Sequence, residues 1–400
     1  MKRRSFLGVT GAGLTGAGQK PEAAARASGD RLRTPLCDLL GVEHPIVLSG
    51  MGRVAVPELV AAVANAGGFG ILAGLGQNAR ELRGQIRRLR ELTDRPFGVN
   101  LWLHTALQPP ADPARIPQDV LRPVQQTLNA FRARLSLQPS FAPPAAFPDV
   151  IDEAFEVILE EKVALWSIGL GDPGPERVRR CRERGVKVMA MVATVEDARA
   201  VAASGVDLVV AQGGEAGGHR STWVKPVSRE AASIGTLVLV PQVVDAVRVP
   251  VLAAGGIMDG RGVVAALALG AAGVLMGTRF VATRESTAPE MWKKSLVGAS
   301  SDRTTVTDAF TGLYARALRN TFSEDYAASG APVLPPLLQA NAAGDVYAAS
   351  ASRNDPGYFP MWSGQGVGLI RDLPAAGDVV RSIVREARQV LDSLGERVQR

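Results

Sequence analysis

The chain has 400 residues, 46% hydrophobic and 21% charged, enough for a sizeable core in one large domain or two ordinary ones. Its two cysteines, Cys37 and Cys181, are too few for a disulfide framework, lack metal-ligand spacing, and read as buried or inert thiols. Most of the formal charge of +6 lies in residues 1–27, where Lys2, Arg3, Arg4, Lys20 and Arg26 face Glu22 alone; the body is nearly neutral with no basic stripe, which argues against nucleic-acid binding.

Residues 1–27 open with Lys2-Arg3-Arg4-Ser5-Phe6-Leu7, pass through a weakly apolar Gly/Ala/Thr segment and end at Ala25-Arg26-Ala27. That order resembles a twin-arginine export signal, giving an extracytoplasmic expectation with a cytoplasmic location as the alternative. No run of about 18 apolar residues exists, so no membrane span is expected.

From Pro45 the chain alternates. A strand at 45–49 ends in Gly50-Met51-Gly52, and Pro57 to Ala66 has helical periodicity that Gly67-Gly68 stops. Strand 69–73 precedes a charged helix over 79–92, in which Leu82, Ile86 and Leu89 share one face, and strand 97–102 follows. Between 105 and 148 the pattern breaks into proline clusters around a helix near 119–135, an insertion expected to form a lid or side element. Helix 150–161, strand 163–168, helix 175–184, strand 186–192 and helix 195–204 lead to a β-branched strand from 206 to Gln212. Helix 237–247, strand 250–254, helix 262–269 and strand 273–276 complete eight strand-helix units, the signature of a (β/α)8 barrel over residues 28–283. Residues 284–400 read as an appended lid region against the barrel mouth, with helices at 289–296 and 308–318, a Pro/Gly-rich polar stretch at 321–368 and an amphipathic closing helix at 378–398.

Barrel enzymes place their sites at the carboxyl ends of the strands. There the sixth strand opens into Gly213-Gly214-Glu215-Ala216-Gly217-Gly218-His219, whose glycines would let the backbone approach a planar or anionic ligand beside a histidine able to exchange protons near neutral pH. Gly255-Gly256 and Gly277-Thr278 follow strands seven and eight; each pair could simply end a strand, and together they suit a phosphate cradle. Asn100, inside strand three, and Gln212 are placed as ligand contacts. His104 and His44 are assigned structural roles, and Glu215 is expected to fix its own loop. No metal cluster, Ser/His/Asp triad or carboxylate pair stands out. A glycine-lined slot, a phosphate cradle, amides and one acid/base outline a flavin mononucleotide (FMN) site.

These residues resemble the nitronate monooxygenase family, formerly called 2-nitropropane dioxygenases, over most of 35–372. The resemblance rests on Pro57-Glu-Leu-Val-Ala-Ala-Val-Ala-Asn-Ala-Gly-Gly, Pro96-Phe-Gly-Val-Asn-Leu, Ala211-Gln-Gly-Gly-Glu-Ala-Gly-Gly-His-Arg, Pro250-Val-Leu-Ala-Ala-Gly-Gly-Ile, Gly277-Thr-Arg-Phe, Ala317-Leu-Arg-Asn and Ser363-Gly-Gln-Gly-Val-Gly-Leu-Ile. It implies an FMN-containing (β/α)8 barrel that oxidises alkyl nitronates with dioxygen to a carbonyl compound and nitrite. It also implies His219 as the catalytic histidine, and Asn100, Gln212, Gly217, Gly256, Leu275, Met276, Gly277 and Thr278 as flavin contacts. Whether His219 acts as a neutral base or as an imidazolium is open at this point. The chain departs from the family's usual Gln-Ala-Pro-Met turn in having Leu48-Ser-Gly-Met51, so the wall beside the flavin is expected to differ. The alternatives are an NAD(P)H-dependent enoyl-acyl-carrier-protein or quinone reductase on the same scaffold, and more remotely a non-catalytic ligand-binding barrel. Expected partners are a small nitronate or nitroalkane and dioxygen, with no nucleic acid; oligomeric state, a homodimer included, is left open.

Overall fold

The computed structural model describes residues 32–223, 228–229 and 233–397; the expected export signal at 1–27 lies outside them. Within them, short runs of aliphatic residues bounded by glycine, proline or polar turns form eight parallel strands. These are β1 (Ile46–Leu48), β2 (Phe69–Ala73), β3 (Phe97–Trp102), β4 (Leu165–Gly169), β5 (Lys187–Val192), β6 (Leu208–Gln212) and, after a two-residue strand β7 (Gly218–His219), β8 (Val251–Ala254) and β9 (Gly273–Met276). The sheet closes because β9 pairs with β1, Leu275 opposite Val47. The (β/α)8 barrel expected from the sequence is therefore the fold.

Side chains alternate across each strand, and the alternation fixes what reaches the mouth. Val47, Phe69, Ile71, Leu165, Leu208 and Val210 fill the barrel interior. Leu36, Cys37 and Leu40 of helix Pro35–Leu40 join the same cluster and plug its amino-terminal end. Counting on by two from the inward residues, polar residues stand at inward positions toward the carboxyl ends of three strands: Asn100 in β3, Ser167 in β4 and Gln212 at the end of β6. The outward residues, such as Val99, Trp166 and Val209, pack beneath the helices. Helix Ala79–Leu92 illustrates the local logic. Asn78 and Glu81 form a reciprocal capping box, which stabilises the start by roughly 1 kcal/mol, while Leu82, Ile86 and Leu89 bury one stripe.

The eighth helix is not where the chain order suggests. Strand β9 is followed only by one turn, Thr278–Val281, and the place between helices Pro57–Asn65 and Gly260–Ala268 is taken by the closing helix Ala376–Arg397. Contact there is close enough that a Cβ on Gly260 would lie 2.1 Å from the Ala387 nitrogen.

The intervening segment corrects two expectations. Residues 308–318 are not a helix: strand β10 (Thr304–Thr307) runs into a turn and then β11 (Ala315–Leu318), and the two pair antiparallel. Gly312 sits at φ +77°, where a Cβ would lie 2.4 Å from the Leu334 carbonyl, so the backbone turns despite good helix formers around it. The stretch 321–368 holds helices Thr321–Ser329, Leu338–Ala342 and Gly344–Ser352. Their apolar faces share a second core with helix Gln118–Arg134 of the 105–148 insertion, through Leu128, Phe131, Phe310, Phe322 and Val346. Phe322 lies 5.0 Å from both Phe131 and Phe310. Buried Arg132 adds bonds to Asp345 (2.8 Å) and the Ala342 carbonyl (2.7 Å). Insertion and appended region thus form one cap.

Candidate active site

His219 stands where barrel and cap meet. Its two-residue strand β7 is not part of the barrel; it pairs with β11, His219 opposite Ala315, and extends the sheet of the cap. This corrects the reading of 213–219 as loop throughout. The imidazole packs edge-on to Trp102 of β3 at 4.5 Å and against Trp362 of the cap at 5.0 Å. Its Nε2 lies 2.9 Å from the Thr311 hydroxyl. Burial in this aromatic setting lowers its pKa from the ordinary 6.5 to about 3, with the nearby charge of His104 a smaller cause. His219 is therefore neutral at physiological pH.

The backbone around it is fastened by side chains of β6 and the loop. Gln212 donates from Nε2 to the His219 carbonyl at 2.9 Å and accepts the Ser221 N–H at 2.9 Å, so its amide clamps both sides of Arg220. Buried Ser221 in turn accepts from Leu170 N and donates to the Met191 carbonyl, each at 2.8 Å, joining the ends of β4 and β5 to the same loop. Leu170 has φ +59°, an unfavourable conformation held by these surroundings. Arg220 donates to the carbonyls of Gln212 (2.9 Å) and Gly213 (2.8 Å), and Arg316 of β11 to that of Gly214 (2.8 Å). Glu215 accepts from the Thr236 N–H at 2.8 Å and its hydroxyl at 2.7 Å, which bears out its assignment as a fastener of its loop.

The glycines divide into two groups, and the reading that all four loop glycines open space for a ligand is corrected. A Cβ on Gly213 would lie 1.9 Å from Thr236 Oγ1, one on Gly214 2.3 Å from the Ser233 carbonyl, and one on Gly217 2.6 Å from Ser363 C and Gly364 N. These three are small because protein packs on them. Gly218, at φ +77°, faces open space, and Gly256 and Gly277 meet only the Glu215 Cβ at 3.5 Å and the Met51 sulfur at 3.3 Å. The N–H groups of Gly256, Gly277 and Thr278 donate to no described residue. The Thr278 hydroxyl accepts Gly364 N–H at 3.0 Å and keeps its own proton to donate. Backbone donors on these two loops, with the Thr278 hydroxyl, suit a phosphate.

Asn100 gives its amide hydrogens to the Ser167 carbonyl and hydroxyl, both at 3.2 Å, leaving Oδ1 as an acceptor at the mouth. Gly50 makes that position available, since a Cβ there would lie 2.4 Å from the Asn100 Cβ. Leu275 points into the barrel interior and Met276 outward beneath the helices, so only their backbone is within reach of the mouth. His104 accepts Ala106 N–H on Nδ1 at 3.1 Å, a turn-stabilising bond that fits its structural assignment, though its charge also reaches His219. His44 precedes β1 at the opposite end. Among the described residues no cluster of potential ligands could hold a metal, and none of their helices is long and apolar enough to cross a membrane. Sequence reasoning missed Trp102, Thr311, Ser221 and Trp362. Only Trp102 carried a local signal, sharing the parity of Asn100 in β3.

A model of the nitronate monooxygenase family matches residues 33–386. A nitronate monooxygenase of Pseudomonas aeruginosa is 41% identical over 360 residues, 88% of this chain and 98% of its own. Among solved structures, a nitroalkane oxidase from Streptomyces ansochromogenes superposes with a TM-score of 0.79 at 35% identity, covering 90% of this chain and 99% of the other. FabK from Thermotoga maritima superposes with a TM-score of 0.70 at 33% identity, covering 92% and 100%.

Proposed function

The chain belongs to the nitronate monooxygenase family, and from that premise we propose that it binds FMN at the barrel mouth and oxidises alkyl nitronates with dioxygen to a carbonyl compound and nitrite. Nitroalkanes enter the same reaction once they have lost their α-proton. The observation that carries this reading is a neutral histidine clamped between two tryptophans on the same rim as an unspent set of backbone donors.

The N–H groups of Gly256, Gly277 and Thr278, with the Thr278 hydroxyl, would hold the phosphate, and Asn100 Oδ1 would accept a heterocycle N–H. Bound there, FMN supplies the means to take electrons from the substrate and pass them to dioxygen. His219 supplies the proton chemistry beside it. As a neutral imidazole it repels no incoming cationic group and holds a proton only when an anion arrives to stabilise it, which suits a site that takes or creates a nitronate. Trp102 and Trp362 fix the ring and keep water from it.

We also read residues 1–27 as an export signal. An extracytoplasmic setting favours an oxidase that draws electrons from its own substrate over one that needs NAD(P)H.

The test is oxygen uptake and nitrite release by FMN-loaded protein given propane-2-nitronate or 2-nitropropane. Wild type is expected to show both signals, and His219→Ala to lose about 100-fold or more in nitroalkane turnover. Rapid NADH or NADPH oxidation with no nitrite from either compound would move the assignment to a reductase.

A further inference from the structure

We propose that Thr311 is a positioning residue that holds His219 as the Nε2–H tautomer, so that the bare Nδ1 is the nitrogen that receives the α-proton of a neutral nitroalkane. The inference rests on the reading of His219 as proton acceptor and names which atom does the work and what selects it.

Thr311 comes from the cap, 92 residues along the chain from His219, yet its hydroxyl is the one group among the described residues that bonds the imidazole, at 2.9 Å from Nε2. Buried Thr311 has little freedom to move away. Its N–H and that of Gly312 both donate to the Asp308 carbonyl, at 3.1 and 2.7 Å, and its own carbonyl accepts Leu337 N–H at 2.8 Å. Gly312 allows only this turn, as its contact with Leu334 requires. The ring is equally constrained, with Trp102 and Trp362 on it and its carbonyl tied to Gln212, so the two nitrogens cannot exchange places by a ring flip.

A hydroxyl can donate to a bare Nε2 or accept from Nε2–H, and the two arrangements leave opposite nitrogens free. Thr311 has a second acceptor in reach, the Leu313 carbonyl at 3.4 Å. Donating there turns a hydroxyl lone pair to His219, and the proposed arrangement is this one, with Nε2–H and a bare Nδ1. In the step that follows, the α C–H bond of the nitroalkane breaks, its proton goes to Nδ1, and its electron pair becomes the C=N bond of the nitronate. No oxidant is consumed. The imidazolium so formed faces the nitronate it has just made, the one arrangement in which this buried ring is stabilised with a charge.

The chain has only three histidines, His44, His104 and His219, so nitrogen-15 histidine labelling gives a resolvable set. Long-range proton–nitrogen spectra of the FMN-loaded wild type should show His219 with Nε2 protonated and Nδ1 bare; a protonated Nδ1 overturns the proposal without any variant. Thr311→Val should mix the tautomers and Thr311→Ser should keep the wild-type one. In kinetics, Thr311→Val should lower the ratio of nitroalkane to nitronate kcat/KM about 10-fold, because a nitronate has no α-proton to give, and Thr311→Ser should restore it. Equal losses on both substrates would mean that Thr311 is merely structural. If His219→Ala oxidises nitroalkanes normally, the base reading falls instead, whatever tautomer the spectra report.

Discussion

At the scale of single residues, His219, the proposed proton acceptor, also bears on stability. Its pKa is lowered in the fold, from 6.5 to about 3, so the unfolded chain binds a proton that the folded one refuses. Stability from this group is complete above about pH 6.5 and is lost as pH falls toward 3. Urea midpoints of wild type should therefore drop further between about pH 7 and pH 4.5 than those of His219→Asn, which has no such group to titrate. Equal drops would show that the ring is readily protonated in place. The glycines give a second contrast. Gly213→Ala forces a Cβ into Thr236 and should cost about 3 kcal/mol or more in urea unfolding. Gly218→Ala meets open space and should cost only about 1 kcal/mol for its left-handed φ. From the sequence, Asn100 and Gln212 stood out because a polar residue in an aliphatic strand needs a reason, and His219 and Thr278 because each follows glycine after such a strand. The glycine run was visible too, but which glycines face protein depends on Thr236, Ser233 and Ser363, whose approach no local pattern encodes. Trp362 and Thr311 come from distant segments and left no trace near the histidine.

At the scale of elements, the histidine strand is held by the cap as much as by the barrel. Arg316 of β11 is buried and joins the Gly214 carbonyl and the Thr304 hydroxyl, at 2.8 and 3.1 Å. Arg316→Met should leave those acceptors unpaired and lower stability by roughly 1–3 kcal/mol, whereas Arg115→Met, whose pairing with Asp112 is solvent-exposed, should stay within about 0.5 kcal/mol. Comparable losses for the two would mean that Arg316 is not fastening the loop. The sequence misread this region for a physical reason. Residues 308–318 contain good helix formers, and it is the turn at Gly312 and the pairing of β11 with β10 and β7 that keep them out of a helix. Likewise 321–368 is polar and proline-rich overall, yet Phe322, Tyr326 and Val346 within it fall where helix Gln118–Arg134 can cover them. Their partner lies about two hundred residues earlier in the chain.

At the scale of the whole molecule, the eight strands and their barrel were legible because strands alternate with helices, but which helix fills the eighth place was not. Helix Ala376–Arg397 buries Val379, Val380, Ile383, Val384 and Ala387 as the eighth member of the outer ring, after an excursion that builds most of the cap. A chain lacking residues 376–400 should expose the facing sides of helices Pro57–Asn65 and Gly260–Ala268 and lose its cooperative thermal transition; a truncated chain that melts like the full one would refute that placement. The same organisation brings cap residues to the proposed site. Barrel strands present Asn100, Trp102 and Gln212, the cap presents Thr311 and Trp362, and His219 sits on a strand of the cap sheet that ends the loop leaving β6. The most direct test of this account is to mix the FMN-loaded protein, without oxygen, with propane-2-nitronate and separately with NADH or NADPH, following the visible flavin absorbance. Rapid bleaching by the nitronate, with colour and nitrite returning together on admission of air, is the expected result. Bleaching by the nicotinamides alone, with the nitronate inert, would contradict it.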